Sequence, residues 1–225
     1  MPVGFQCFTP GGDLQIDSEK FTYSLKQKGT LTGTLTTGTF GGGFWVASVT
    51  ITGCNNPIMF CGMDCLVASS ENLGGGTWRF GFYGALGPTI PYACFDVGMT
   101  FGGNFGLSLF NSLGQETFSG FSTPLSISAS GTENIYTNTS TNLPFTGEPG
   151  RTYYFSGAGS YSAIAGTEVF PGDFEAYQNY GLLSAGGSNQ YFLSSVGLVG
   201  STNDGALNEG SPGPLYWMIA DVTGM

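Results

Sequence analysis

One pattern occurs twice in this chain, about a hundred residues apart, and it restricts the fold more than any other feature of the sequence. The segment from Gly4 to Ser18 reads GFQCFTPGGDLQIDS and that from Gly106 to Gly120 reads GLSLFNSLGQETFSG, so Gly4, Phe8, Gly12 and Ile16 stand against Gly106, Phe110, Gly114 and Phe118. Each copy predicts a β-hairpin, because alternating side chains flank a short turn in which glycine accepts a positive φ. Composition extends that reading to the whole chain. Of 225 residues 39 are glycine and only 9% are charged, against roughly 25% charged in an ordinary soluble domain. Solubility then rests on Ser, Thr, Asn and Gln. Together with 15% aromatics, this suits many short strands joined by tight turns. The expected fold is all-β, an antiparallel β-sandwich with little helix, since no stretch joins helix caps to a sustained 3.6-residue period.

Charge removes several functions. Fifteen acids face five bases, Lys20, Lys26, Lys28, Arg79 and Arg151, for a net charge of −10, and such a field repels a phosphate backbone or an anionic membrane. No apolar run approaches the roughly 20 residues of a membrane-spanning helix. The start, MPVGFQCFTPGG, lacks the basic flank and apolar stretch of a secretory signal, so the chain is expected to fold in the cytosol where it is made.

The five cysteines, Cys7, Cys54, Cys61, Cys65 and Cys94, all lie in the first 94 residues. An odd number in a chain without a signal argues against a disulfide framework and for buried, reduced thiols. A zinc site drawn from Cys54, Cys61, Cys65 and Cys94 is the competing reading, weakened because none of these pairs has the tight C-x₂-C spacing of structural sites. No metal or cofactor is expected.

Alternation marks the strands. Phe21, Tyr23 and Leu25 alternate with Thr22, Ser24 and Lys26, and residues 30–37 alternate threonine with Leu31, Gly33 and Leu35. The β-branched and aromatic run 44–51 reads as a central strand. Residues 53–76 form a cysteine-bearing excursion whose apolar middle pairs with a neighbour. In the strand 77–85, Trp78, Phe80 and Phe82 share one face. Strands are also expected over 92–99, 105–110, 151–165, 190–199 and 215–222. Residues 122–150, rich in Ser, Thr and Asn, read as exposed loop or edge strand, and 170–180 as the one place for a short helical turn. The second hairpin places a junction near residue 103, between an N-terminal β module (1–103) holding every cysteine and a C-terminal β module (104–225). A single sandwich whose halves each begin with a similar hairpin would leave the same trace.

The chain contains no histidine, which excludes Ser-His-Asp and Cys-His nucleophilic systems and histidine-bearing metal sites. Paired carboxylates remain for glycoside hydrolysis. Asp173 and Glu175 share a face if they lie on a strand, but exposed acids are ordinarily just solvated, and Asp13 and Asp17 have the same bland explanation. The glycine runs before Phe44 and Thr77 lack the Lys-Ser/Thr of a phosphate loop. Asp64, Glu71 and Asp96 do not make a calcium ladder, and Asn138-Thr139-Ser140 has no use as a glycosylation acceptor without secretion. Exposed aromatics could instead stack on sugar rings, with amides taking hydroxyls. The candidates are Tyr153, Tyr154, Tyr161, Tyr177, Tyr180 and Tyr191, near Asn179, Asn189 and Gln190, weighed against core or subunit packing for the same residues.

The first hairpin carries a pattern, G-[FL]-Q-x-[FY]-x₃-G-x₄-D-S, borne here by Gly4, Phe5, Gln6, Phe8, Gly12, Asp17 and Ser18. At the start of a glycine-rich chain this resembles tail-fibre and tail-tip proteins of bacteriophages. The likeness covers about fifteen residues and is echoed at Gly106, where Gln115, Glu116 and Ser119 depart from it. The resemblance implies a non-enzymatic structural protein of the virion tail, assembled in the host cytoplasm. It further implies an oligomer, often a trimer, that contacts other tail proteins and helps the particle attach to a bacterial surface glycan or pilus. Low charge agrees, because neutral polar sheets enter subunit interfaces without burying unpaired charge. Two rivals stand beside it: a capsid decoration protein, and a histidine-free glycan depolymerase or carbohydrate-binding module.

Overall fold

A computed structural model describes residues 4–8, 12, 14–37, 43–62, 64–84, 87–99, 106–133, 141–158, 164–170, 173–185, 190–202 and 215–225. Among them every regular element is a strand, and several antiparallel sheets pack against one another as an all-β sandwich. In chain order the first half supplies β1 (Gln6–Phe8), β2 (Leu14–Asp17), β3 (Ser24–Thr32), β4 (Thr34–Thr37), β5 (Gly43–Ile51), β6 (Ile58–Cys61), β7 (Cys65–Gly74), β8 (Thr77–Gly84) and β9 (Thr89–Asp96). The second half supplies β10 (Ser108–Phe110), β11 (Glu116–Ser119), β12 (Ser126–Glu133), β13 (Thr141–Thr146), β14 (Tyr153–Ala158), β15 (Ile164–Phe170), β16 (Asp173–Ala185), β17 (Gln190–Thr202) and β18 (Leu215–Asp221).

The sheets repeat the duplication seen in the sequence. The hairpins β1-β2 and β10-β11 are two-stranded sheets, β4-β5-β8-β7 and β13-β17-β16-β15 are four-stranded, and one six-stranded sheet runs β12-β18-β14-β6-β9-β3. That last sheet joins strands from both sides of residue 103, so the halves share a sheet. Its order reads the same from either edge: β3-β9-β6 meets β14-β18-β12 where Phe155 pairs with Cys61. Registers match as well. Ser24 pairs with Asp96 and a bulge follows between Leu25 and Gln27, while Ser126 pairs with Asp221 and a bulge follows between Ile127 and Ala129. The halves differ in one exchange, since β5 enters a four-stranded sheet and β6 the central one, whereas β14 is central and β15 joins the four-stranded sheet.

Side chains alternate across the central sheet and fill both faces, as the period of two requires. On β9, Ile90, Tyr92 and Cys94 pack with Phe80, Phe82 and Cys61 against the β4-β5-β8-β7 sheet. Trp217 and Ile219 of β18 gather instead with Tyr153, Phe155 and Phe145. The other face belongs to both halves, with Phe60, Ala93 and Phe95 beside Ala220 and Val222. Phe60 and Phe95 meet edge to face at 5.7 Å, a favourable aromatic geometry. The two edges of this sheet come together at their start, where Ser24 bridges Pro124 and Leu125 N donates to Tyr23 O at 2.8 Å. The sheet therefore curls round the shared core.

One reading of the sequence is corrected. The helical turn expected over 170–180 is strand β16, which pairs on one side with β15 and on the other with β17. Pairing on both sides satisfies its backbone groups, and that outweighs weak local propensity. The Ser/Thr-rich stretch after 122 contains β12 and β13, which are edge strands of their sheets.

Candidate functional site

The two hairpins are the most exposed apolar part of the described surface. In each, the register is offset identically: Gln6 pairs with Asp17 and Cys7 with Ile16 before a bulge, and Ser108 pairs with Ser119 and Leu109 with Phe118 before the equivalent bulge. The turn glycines Gly12 and Gly114 occupy equivalent positions with φ of 90° and 75°, which only glycine adopts without strain. Asn111 fixes the second turn, its Oδ1 accepting from Leu113 N and Gln115 N at 3.0 and 2.9 Å. Because a two-stranded ribbon has one face to pack and one to spare, half of its large side chains stay outside. Phe5 and Phe8 are exposed at the positions matched by Leu107 and Phe110, with Phe21, Leu113 and Phe121 close in sequence.

The hairpins hold each other. Glu19 accepts from Ser112 N at 3.1 Å and from its hydroxyl at 3.0 Å, and the Thr117 hydroxyl donates to Ser18 O at 3.0 Å. Asp17 accepts from Glu19 N at 2.9 Å and from Gln6 Nε2 at 3.2 Å. These bonds, the backbone one foremost, favour the charged carboxylate and hold its pKa below 3.8. The Asp-Ser ending of the first hairpin is thus structural: Ser18 Oγ accepts from Phe5 N at 3.0 Å.

A cleft of about 630 Å³ opens between the second hairpin and the loop after β9. Phe21 and Phe110 line it with Asn55, Gly98, Gln115 and Glu116. Gly98 has φ 65°, and a Cβ there would come within 3.2 Å of Asn55 Nδ2 and 3.9 Å of the Phe21 ring. Each polar side chain is anchored by one hydrogen bond. Asn55 Nδ2 donates to Val97 O at 2.8 Å, Gln115 Oε1 accepts from Asn111 Nδ2 at 2.9 Å, and Glu116 Oε1 accepts from Ser108 Oγ at 2.7 Å. Beneath the cleft the fully buried Asp96 takes Asn55 N and Asn56 N at 2.8 and 2.7 Å, which fixes the loop that presents Asn55.

Among the described residues that line this cleft, none is a tyrosine singled out from the sequence. Tyr153 is a correction: it is 6% exposed, stacked edge to face on Phe145 at 5.0 Å, with its hydroxyl accepting from Glu148 N at 3.0 Å. Tyr154 is half-buried against the shared core and borders a smaller cleft of about 410 Å³ with Lys28, Thr152 and Met225. The reason is common to both. Their strand, β14, is central in a sheet packed on both faces, so neither side of it is spare. Tyr177 and Tyr180 lie in β16, paired with Val199 and Val196 of β17, and Tyr191 of β17 pairs with Ala185 of β16. Asp173 and Glu175 stand in β16 opposite Phe170 and Thr167. Tyr161 and Asn189 lie outside the described residues, as do Asp13 and Asn138. The residues that do form the cleft come from a segment before β3, two loops and a hairpin, and no periodicity links them.

None of the five cysteines is in a disulfide, and Cys54, Cys61, Cys65 and Cys94 are buried. Burial raises their thiols, Cys65 to about 11 and Cys94 to about 12, with Cys61 also driven well up. Among the described residues no three Cys, Asp or Glu side chains gather as a metal site. No protein family, characterised protein or solved structure matches this chain.

Proposed function

We propose that this protein is a non-enzymatic structural component of a bacteriophage tail, in a fibre or at the tip, that contributes to attachment to the host surface. The observation that carries the reading is the duplicated hairpin. Its first copy bears the tail-protein pattern and projects Phe5 and Phe8, 48% and 53% exposed. Exposed apolar clusters of this kind mark docking surfaces, and the partners they suit are other tail proteins and further copies of this chain. Sparse charge supports the same use, since assembly then buries few ions.

Electron microscopy of negatively stained particles labelled with antibody against this chain tests the location. Label at the tail is expected, and label on the head would replace this reading with a capsid decoration role. A solution mass near three times the 23.5 kDa chain is the expected oligomer, as a closed cyclic assembly requires. Phe5→Ser together with Phe8→Ser should abolish incorporation into particles while leaving the fold intact.

A further inference from the structure

We infer that the cleft between the second hairpin and the loop after β9 is a binding site for a neutral saccharide. The inference rests on the tail-attachment reading for its biological setting only, since the chemistry is that of the cleft itself. Two aromatic rings, Phe21 and Phe110, border a space of about 630 Å³, within the roughly 300–1,000 Å³ range of small-molecule sites. The apolar C–H face of a pyranose packs on such rings. Its hydroxyls need donors and acceptors held beside them, and the cleft supplies both. The hydrogen bonds that anchor Asn55, Gln115 and Glu116 occupy one polar atom of each side chain. Asn55 Oδ1, Gln115 Nε2 and Glu116 Oε2 are left without a hydrogen-bond partner among the described residues. An acceptor, a donor and a charged acceptor thus stand around two aromatic rings, already oriented, so that binding orders few side chains.

Charge narrows the class further. Among the described residues no Lys or Arg lines the cleft, and the Glu116 carboxylate together with the net charge of −10 repels phosphorylated or uronate-rich polymers. Gly98 leaves room between Asn55 and Phe21. With φ 65° and Asn55 Nδ2 within 3.2 Å of any Cβ placed there, a larger residue is both strained and intrusive.

Saturation-transfer NMR on the full chain, with a panel of neutral oligosaccharides built from glucose, galactose, rhamnose and N-acetylglucosamine, tests the site. At least one member should receive saturation, and Phe110→Ala and Gln115→Ala should each weaken its binding at least tenfold. Tyr216→Ala is the control, because Tyr216 is 57% exposed, as open as Phe110, yet stands outside the cleft; it should leave binding unchanged. Retained near-ultraviolet circular dichroism confirms that each variant is folded. If no member binds, if binding survives both cleft substitutions, or if only a phosphate-bearing glycan binds, the inference is overturned. Its failure is separable from that of the tail reading: label at the tail with no saccharide bound sinks the site alone, and saccharide bound with label on the head sinks the location alone.

Discussion

The two halves of the chain follow one plan with different side chains. At matched positions of the central sheet, Gly29 pairs with Tyr92 and Gly131 with Trp217, so each half lays an aromatic ring over a cross-strand glycine. Such pairs restore the packing that glycine lacks and help to fix register. Asp96 and Asp221 also correspond, both opposite a serine at the start of an edge strand. Their work differs. Asp96 is fully buried and takes two backbone N–H groups. Asp221 accepts from Thr223 N at 2.9 Å and from the half-exposed Arg151 at 2.5 Å. Cys94 of the first core stands where Ile219 stands in the second. Bulges, glycine–aromatic pairs and a terminal aspartate thus accompany a shared strand plan, while core residues of suitable volume are interchangeable around it.

Separating the two halves has the largest expected effect. Residues 1–103 and 104–225 expressed apart are each expected to lose cooperative unfolding and near-ultraviolet circular dichroism, because Phe60 and Phe95 share one core with Ala220 and Val222. Each large apolar side chain exposed forfeits roughly 1.5–3 kcal/mol. Co-expression should restore the fold, and a half that unfolds cooperatively alone would show that the shared core is dispensable. The aspartates come next. Asp96→Ala removes the buried acceptor of two backbone donors, Asn55 N and Asn56 N, and should cost about 3 kcal/mol in urea denaturation, whereas Asp221→Ala should cost about 1 kcal/mol or less, as a partly solvated pair does. Equal losses would mean that the two positions are equivalent in energy as well as in register.

Smaller effects sharpen the same contrast. A Cβ at Gly131 would lie 2.6 Å from the Trp217 ring and one at Gly29 3.0 Å from Tyr92. Gly131→Ala is therefore expected to cost about 2 kcal/mol and Gly29→Ala about 1 kcal/mol, in line with the cost of overpacking. Thiol labelling reports on the first half, which holds every cysteine: in native protein at pH 8 iodoacetamide should modify only the half-buried Cys7, and in denaturant all five cysteines. Rapid native labelling of Cys61 or Cys94 would show that the first core opens.

The smallest effect is electrostatic. Burial alone would raise Asp221, but the hydrogen bonds from Thr223 and the Arg151 guanidinium outweigh it, and its pKa, like that of Asp17, falls below 3.8. A carboxylate depressed in the folded state contributes stability above its unfolded pKa and loses it as pH drops through the folded value. The melting temperature should hold down to about pH 4 and decline below it, and Arg151→Gln should flatten that decline.

Much of the fold was legible because β structure writes itself locally. Trp78, Phe80 and Phe82 alternate in sequence, and Phe80 and Phe82 are buried in β8 as that alternation requires. The hairpins were legible for the same reason, a short turn being set by its own glycine. Segment 170–180 was misread because its strand character comes from partners on both sides. Tyr153 was misjudged because alternation tells which residues share a face and not whether the opposite face is also covered. Nothing in the sequence indicated the cleft, whose residues are drawn together by the Asp96 carboxylate and the second hairpin across gaps of tens of residues.

By itself the sequence determined the all-β class, the strand periods and the twofold hairpin, since all three depend on neighbours a few residues apart. Only the tertiary structure decided that the halves are fused through one curled sheet, that Asp96 is buried while Asp221 meets solvent, and that Phe21 and Phe110 face a common space. Those outcomes depend on which strands pair across the chain. Pairing is settled by burial and backbone hydrogen bonding summed over the whole assembly of sheets, and no local stretch carries that sum.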